Sequence, residues 1–299
     1  NGTRMSTETN VPNWGLARIS QKYLPLQTDY TYPNSSGEGV DVYVIDTGIN
    51  VEHQEFGGRA TWGITTVENS GNTDDNGHGT FVAGIVGGAL FGVAKDVRLI
   101  AVKALDASGS GSVSDILYGL QYVIKTAKLN GNKSRSVVNL SLGTQKSTAL
   151  DQAVTALVNA GIIMVAAAGN GDENGVGQDA CDFSPASART ALTVGSTDRS
   201  DNVASFSNYG PCVNIFAPGV KIRSAWIGSD TATYVSSGTS FSTPFAAGVV
   251  ATYISERQRQ KRANMAPEEV IRAITGMATE GVIHGLDSRS PNLLLYNGI

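Results

Sequence analysis

Five short runs rich in Val, Ile, Leu and Ala punctuate the chain, at residues 40–45, 98–104, 137–142, 162–168 and 191–194. Each has the length of a strand, and their continuous apolar character predicts burial on both faces. Between them lie helical patterns: residues 112–128, with Ile116, Leu117, Leu120, Val123, Ile124 and Ala127 on one side, and residues 150–159. Strands alternating with helices predict an α/β fold whose central, mostly parallel sheet is covered by helices on both faces. In such sheets functional residues collect at strand ends and in the loops that follow. The chain has no internal repeat, low-complexity tract or linker. Residues 69–77 are rich in Asn, Asp and Gly but run directly into a histidine and a small-residue helix, which predicts a functional loop rather than a domain boundary.

Composition narrows the picture. A chain of 299 residues with 41% hydrophobic and 16% charged residues and 35 glycines describes one tightly turned domain spanning 1–299, not a disordered or coiled-coil chain. A net charge of -4 argues against nucleic-acid binding, and the one basic cluster, residues 257–262, reads as a helix end. No apolar run approaches the roughly 20 residues of a membrane span. The chain opens on Asn1 without a charged-then-apolar leader, so the expectation is a mature form with leader and propeptide absent. Cys181 and Cys212 are the two cysteines, and their count alone does not pair them. Neither has a ligand at metal-binding spacing, so no metal is assigned to them. The sequons at Asn1, Asn34 and Asn132 lie in loop-like stretches open to glycosylation; that at Asn139 lies in an apolar strand and is expected to stay unmodified.

Three segments carry candidate chemistry. The strand 42–45 ends in Asp46-Thr47-Gly48, which by itself also reads as an ordinary turn. Asn76-Gly77-His78-Gly79-Thr80 places a histidine between two glycines, ahead of a helix of small residues. The other histidines are His53, seven residues after the acid and read as a packed support, and His284, in a loop-like tail. Ser237-Gly238-Thr239-Ser240 leads into an apolar helix with Pro244 in its first turn. A serine there is either a cap or a nucleophile surrounded by backbone N–H groups.

Taken together, acid, histidine and serine in this order, each bordered by glycine, resemble the subtilisin superfamily. The matching motifs are Asp-Thr-Gly at 46–48, His-Gly-Thr at 78–80, Gly-Thr-Ser with its proline at 238–244, and Ala-Ala-Gly-Asn at 167–170. Residues 14–20, 205–210, 216–219 and 291–298 are similar to the proteinase K branch, in particular to fungal cerevisin-type vacuolar and secreted enzymes. The resemblance implies a subtilisin-like three-layer sandwich and a serine endopeptidase with Asp46, His78 and Ser240 as triad and Asn170 as oxyanion donor. It implies that Gly109-Ser110-Gly111 and Ser141-Leu142-Gly143 sandwich an extended peptide, and that Ala167, Ala168 and Gly169 line a first pocket suited to apolar and aromatic residues. Thr144 stands where relatives often have glycine and narrows that pocket's rim. The resemblance further implies a Cys181–Cys212 bridge, polypeptide substrates, a cleaved propeptide inhibitor, a monomer, and a place in the secretory pathway, extracellular or vacuolar.

No cofactor is implied for catalysis. Structural calcium is in doubt, because Asn214 stands where a carboxylate is expected. Phe81, Phe241 and Phe245 replace a histidine, a methionine and a histidine common in relatives. A nucleotide-binding enzyme fails as an alternative, since Gly109-Ser110-Gly111 lacks the later glycine and no phosphate loop with Lys-Ser/Thr is present. An inactive subtilase kept as a binding protein is opposed by the presence of every triad member.

Overall fold

Every residue of the strand Asp41–Asp46 is buried, yet its side chains divide between two cores. Val42 and Val44 join one, Tyr43 and Ile45 the other. The strands Ser136–Leu140 and Ile163–Ala167 divide in the same way, with Val137, Ile163 and Val165 on the first side and Val138, Met164 and Ala166 on the second. Period-two alternation with apolar demand on both faces is what makes these runs continuous in sequence. Helices His78–Gly87 and Thr239–Arg259 complete the first core; Val113–Leu129 and Thr148–Asn159 complete the second. The result is a three-layer α/β sandwich.

The structure, a computed structural model, describes residues 3–299, so the sequon at Asn1 lies outside the described residues. Among these residues the central sheet has nine strands. Their spatial order is Thr279–Glu280, Leu293–Leu294, Ile215–Pro218, Leu192–Thr197, Ile163–Ala167, Ser136–Leu140, Asp41–Asp46, Arg98–Lys103 and Ala60–Thr65. All are parallel except Thr279–Glu280, which pairs antiparallel with Leu293–Leu294. The five strands predicted from sequence are all present, and the fifth extends to Thr197. Ala60–Thr65 is an edge strand with one buried residue, so it leaves no apolar run. Asp41–Asp46, the first strand of this sheet in chain order, lies inside it with later strands added on both sides, which opens a crevice at its carboxyl end.

Local signals set the helix bounds. Ser112 caps Val113–Leu129 in a reciprocal box with Asp115, one residue later than the predicted start. Ser147 caps Thr148–Asn159 two residues earlier than predicted. Thr239–Arg259 is buried along most of its length and ends with Arg257 and Arg259 in its last turn, where cations suit the carbonyl end. None of the helices among the described residues is long and apolar enough to cross a membrane.

Cys181 and Cys212 are joined by a disulfide. Asn34 is exposed, but Asn132 is not the open acceptor its sequon suggested: it is buried, and its amide donates to the Asp41 carboxylate. Asn139 is fully buried and donates to Ser141 Oγ at 2.9 Å.

Candidate active site

Asp46, the last residue of its strand, is fully buried. Its Oδ1 accepts from Thr47 N–H at 2.7 Å and lies 2.7 Å from His78 Nδ1. His78 opens the helix His78–Gly87, whose start is held by a second buried carboxylate, Asp74. Asp74 Oδ1 accepts from Thr47 Oγ1, Asn76 N–H and Gly77 N–H, and Oδ2 from Thr80 N–H and Oγ1, at 2.6–3.1 Å. An anion there suits the electropositive end of a helix. Gly79 is needed for close approach, since a Cβ on it would lie 2.0 Å from the Gly48 carbonyl oxygen. Burial on its own would lower the His78 pKa; the charge of Asp46, the hydrogen bond to it and the charge of Asp74 outweigh burial, and the net direction is upward.

Ser240 lies in the first turn of Thr239–Arg259. Its hydroxyl donates to the Ser141 carbonyl at 3.1 Å, and its own carbonyl accepts from Ser141 Oγ at 2.7 Å. No hydrogen bond joins His78 to Ser240 among the described residues; catalytic contacts of this kind often tighten only with substrate present. The histidine is nevertheless beside this helix, its ring 5.4 Å from that of Phe241, the next residue. Asn170 is aimed by Thr239, whose N–H and Oγ1 donate to Asn170 Oδ1 at 2.7 and 2.8 Å. A backbone N–H can only donate, so it fixes the amide oxygen on that side and leaves Nδ2 for an incoming acceptor.

A cavity of about 280 Å³ adjoins Ser240 and Asn170. Leu142, Gly143 and Thr144 form one wall, Ala167, Ala168 and Gly169 the other, and Phe183, Ser184 and Ala186 also border it. Gly169 has φ +107, and a Cβ there would strike Asn208 Nδ2 at 2.3 Å. Thr144 pairs with Ser184, which ties the rim to the Phe183–Ser184 segment. Gly109, Ser110 and Gly111 lie on an exposed loop organised by Asp106, whose carboxylate accepts from Ser108 and Ser110 N–H. A larger hollow of about 770 Å³, lined by Lys133, Arg189, Asn214 and Glu268 among others, contains none of these groups.

The sequence pattern of the Subtilase family matches residues 37–290. The chain belongs to this family. It is 46% identical over 294 residues to the subtilase-type proteinase psp3 of Schizosaccharomyces pombe, covering 97% of this chain and 63% of that one. It is 45% identical over 305 residues to the subtilisin-like serine protease Pen ch 18 of Penicillium rubens, covering 98% and 60%. The subtilase thus spans about three-fifths of the length of these curated relatives. Among solved structures it superposes with a TM-score of 0.86 and 43% identity on a cold-adapted subtilisin-like serine proteinase, covering 97% of this chain and 99% of that one.

Sequence reading missed several supports of this subtilase site. Asp74 was hidden in an acidic loop, although its distance of six residues from Thr80, through a helix start, was a usable signal. Lys103 ends an apolar strand fully buried, donating to the Thr47 and Leu105 carbonyls and to Asp75 at 2.7–2.9 Å. Asn208 accepts from Gly171 and Gln178 N–H and donates to the Ala168 carbonyl, bracing the pocket wall. His53 is a support, as expected: Nδ1 accepts from Glu55 N–H, so Nε2 donates to the Ala232 carbonyl at 2.8 Å.

Asn214 offers no carboxylate to calcium: its side-chain oxygen is neutral and accepts from Thr193 N–H at 2.7 Å. No group of three or more His, Cys, Asp or Glu placed to hold a metal occurs among the described residues.

Proposed function

We propose that this subtilase is a serine endopeptidase, the catalytic domain acting through Ser240, His78 and Asp46 with Asn170 as oxyanion donor. The observation that carries the reading is the arrangement around one helix start. The fully buried Asp46 paired with a half-buried His78 lies beside it, and Asn170 turns its amide nitrogen toward the site because Thr239 holds its oxygen.

In the reaction the Ser240 hydroxyl exchanges its bond to Ser141 for one to His78 Nε2. His78 takes the proton as Oγ attacks the peptide carbonyl. Asp46 holds Nδ1–H, which fixes the tautomer and stabilises the imidazolium. Asn170 Nδ2 and Ser240 N–H receive the oxyanion; loss of such an asparagine costs about 100- to 1000-fold in kcat, a range established in subtilisin itself. The imidazolium then protonates the departing amine, and water hydrolyses the acyl-enzyme by the same steps in reverse order.

Substrates are polypeptides bound in extended form between residues 109–111 and 141–143 by main-chain pairing as an added strand. The small-residue walls of the cavity support a broad preference for apolar and aromatic residues before the scissile bond, with Thr144 trimming the largest. Acting as a monomer, released from a propeptide and working in an oxidising compartment, extracellular or vacuolar, are parts of the same reading; the disulfide supports the last.

Covalent labelling by a fluorophosphonate tests it. The reading expects stoichiometric modification at Ser240 and, for Ser240→Ala, a folded protein whose peptide hydrolysis is lower by several orders of magnitude. An unlabelled, folded wild-type protein would fit an inactive binding subtilase instead.

A further inference from the structure

We propose that Trp226 and Tyr234 form a subsite for the leaving-group side of the substrate, selecting a bulky apolar or aromatic residue in the first two positions after the scissile bond. This rests on the endopeptidase reading above.

The direction of the departing chain follows from the chemistry. The acyl part occupies the cavity beside Ala167–Gly169, and the leaving amine takes its proton from His78, so the departing chain passes the imidazole on the side away from that cavity. The flanks of His78 differ. On one, Asn76 Nδ2 donates to the Ala107 carbonyl at 3.0 Å and joins the histidine to the loop that holds the acyl side. On the other side the imidazole meets aromatic rings, from the buried Phe241 outward to Trp226 and Tyr234. The Phe241 ring lies 5.4 Å from the imidazole, and Trp226 covers Gly77, where a Cβ would come within 2.6 Å of the indole. Tyr234 continues the surface, its ring 4.8 Å from that of Trp226.

Tyr234 is 51% exposed and its neighbour Val235 is 42% exposed, only a few residues before the nucleophile. Large apolar side chains scattered singly on a surface need no explanation, but here Tyr234 continues an aromatic cluster that reaches the active histidine. The platform is also rigid. The strands Ile222–Ala225 and Thr233–Ser236 form a hairpin, and Ser224 Oγ donates to the Phe81 carbonyl at 2.7 Å. Trp226 N–H and His53 Nε2 both donate to the Ala232 carbonyl, at 2.9 and 2.8 Å. A held aromatic face costs little ordering on binding and favours apolar and ring-bearing partners.

The test is partition of one acyl-enzyme between water and added amines. A single peptide ester supplies the acyl group, and Gly-Phe-amide, Phe-Gly-amide and Gly-Gly-amide compete as nucleophiles. The expected result is capture of at least one aromatic dipeptide amide about tenfold more efficiently than Gly-Gly-amide. Tyr234→Ser, at an exposed position, and the conservative Trp226→Phe should each shrink that preference severalfold, while Tyr118→Ser, an exposed tyrosine on the helix Val113–Leu129, leaves it unchanged. The preference is a ratio within one intermediate, so a general loss of activity cancels. Equal capture of all three amides, or an undiminished preference in both Tyr234→Ser and Trp226→Phe, would overturn the subsite while leaving the acyl-enzyme intact. Absence of any acyl-enzyme from the ester would overturn the endopeptidase reading and this inference with it.

Discussion

Phe241 packs against Phe81 with ring centroids 4.4 Å apart. These are two of the three positions at which a phenylalanine replaces a residue common in relatives. The structure makes those two departures one feature: a histidine and a methionine give way to a pair of mutually packed aromatic rings behind His78. Residues in contact do not change independently, so Phe81→His and Phe241→Met together should cost less than the sum of the two single replacements.

Oxidation reads out this exchange. A methionine at 241 would place a sulfur beside the oxyanion site, where sulfoxide formation adds a polar oxygen. Phe241 has no sulfur, and Met164, in the strand Ile163–Ala167, is fully buried. Met5, Met265 and Met277 lie outside the catalytic segments. Peroxide is expected to leave activity largely intact in the native protein and to reduce it in Phe241→Met. Rapid loss in the native protein, with oxidation mapped to a methionine by mass spectrometry, would contradict this packing argument.

The pH profile tests the electrostatics. His78 must be neutral to act as a base, and its pKa is raised, so the protonated form persists to higher pH than for an ordinary histidine. The acid limb of kcat/KM should therefore lie above the unperturbed value of about 6.5, activity being lost as pH falls through it. In Asp46→Asn the larger raising charge is gone and burial, which outweighs the remaining charge of Asp74, stays, so the limb should move below that value while kcat falls about ten-thousand-fold. A limb that stays in place in this variant would mean that another group controls the profile.

The parts of the fold most legible in sequence were those with a strong local signal. Residues 40–45 and 162–168 read as strands because both faces of each meet a core. The motifs around Asp46, His78 and Ser240 are dense in glycine, which close backbone approach requires. Ala60–Thr65 escaped because it is an edge strand of mostly half-exposed residues. Lys103 and Thr239 escaped because their work is done by tertiary hydrogen bonds. Nothing in the one-dimensional pattern says that a lysine ending an apolar strand meets two carbonyls and Asp75. Asn132 shows the opposite failure: a sequence that looks like an open loop folds its amide onto Asp41.

The disulfide should matter for stability more than for chemistry. It joins Cys181, next to the Phe183–Ser184 segment that borders the specificity cavity, to Cys212, 31 residues away. Closing a loop of that length contributes roughly 3–4 kcal/mol on the chain-entropy account. Cys181→Ser/Cys212→Ser is expected to lower the denaturant midpoint accordingly and to raise KM more than it lowers kcat, since the cavity wall loses its tether. Two titratable thiols in freshly unfolded, unreduced native protein would show that the bridge does not form.

Asp74 offers the sharpest separation of structure from catalysis. Its carboxylate accepts five hydrogen bonds, which join Thr47, beside Asp46, to the first turn of the helix that carries His78. Asp74→Ala leaves those donors facing a void, and breaking a buried, charged hydrogen-bond network typically costs about 3–5 kcal/mol. Asp74→Asn keeps the shape but turns an amide N–H₂ toward at least one existing donor, so it should still be destabilised, by less. The negative charge also contributes to the raised pKa of His78, and both variants remove it. The acid limb of kcat/KM should therefore shift downward in Asp74→Asn, by less than in Asp46→Asn, because Asp46 still faces the imidazole. Melting followed by calorimetry measures the first effect and the pH–rate profile of the folded variant measures the second. A destabilised Asp74→Asn protein with an unmoved acid limb would reduce Asp74 to a helix anchor with no electrical reach to His78.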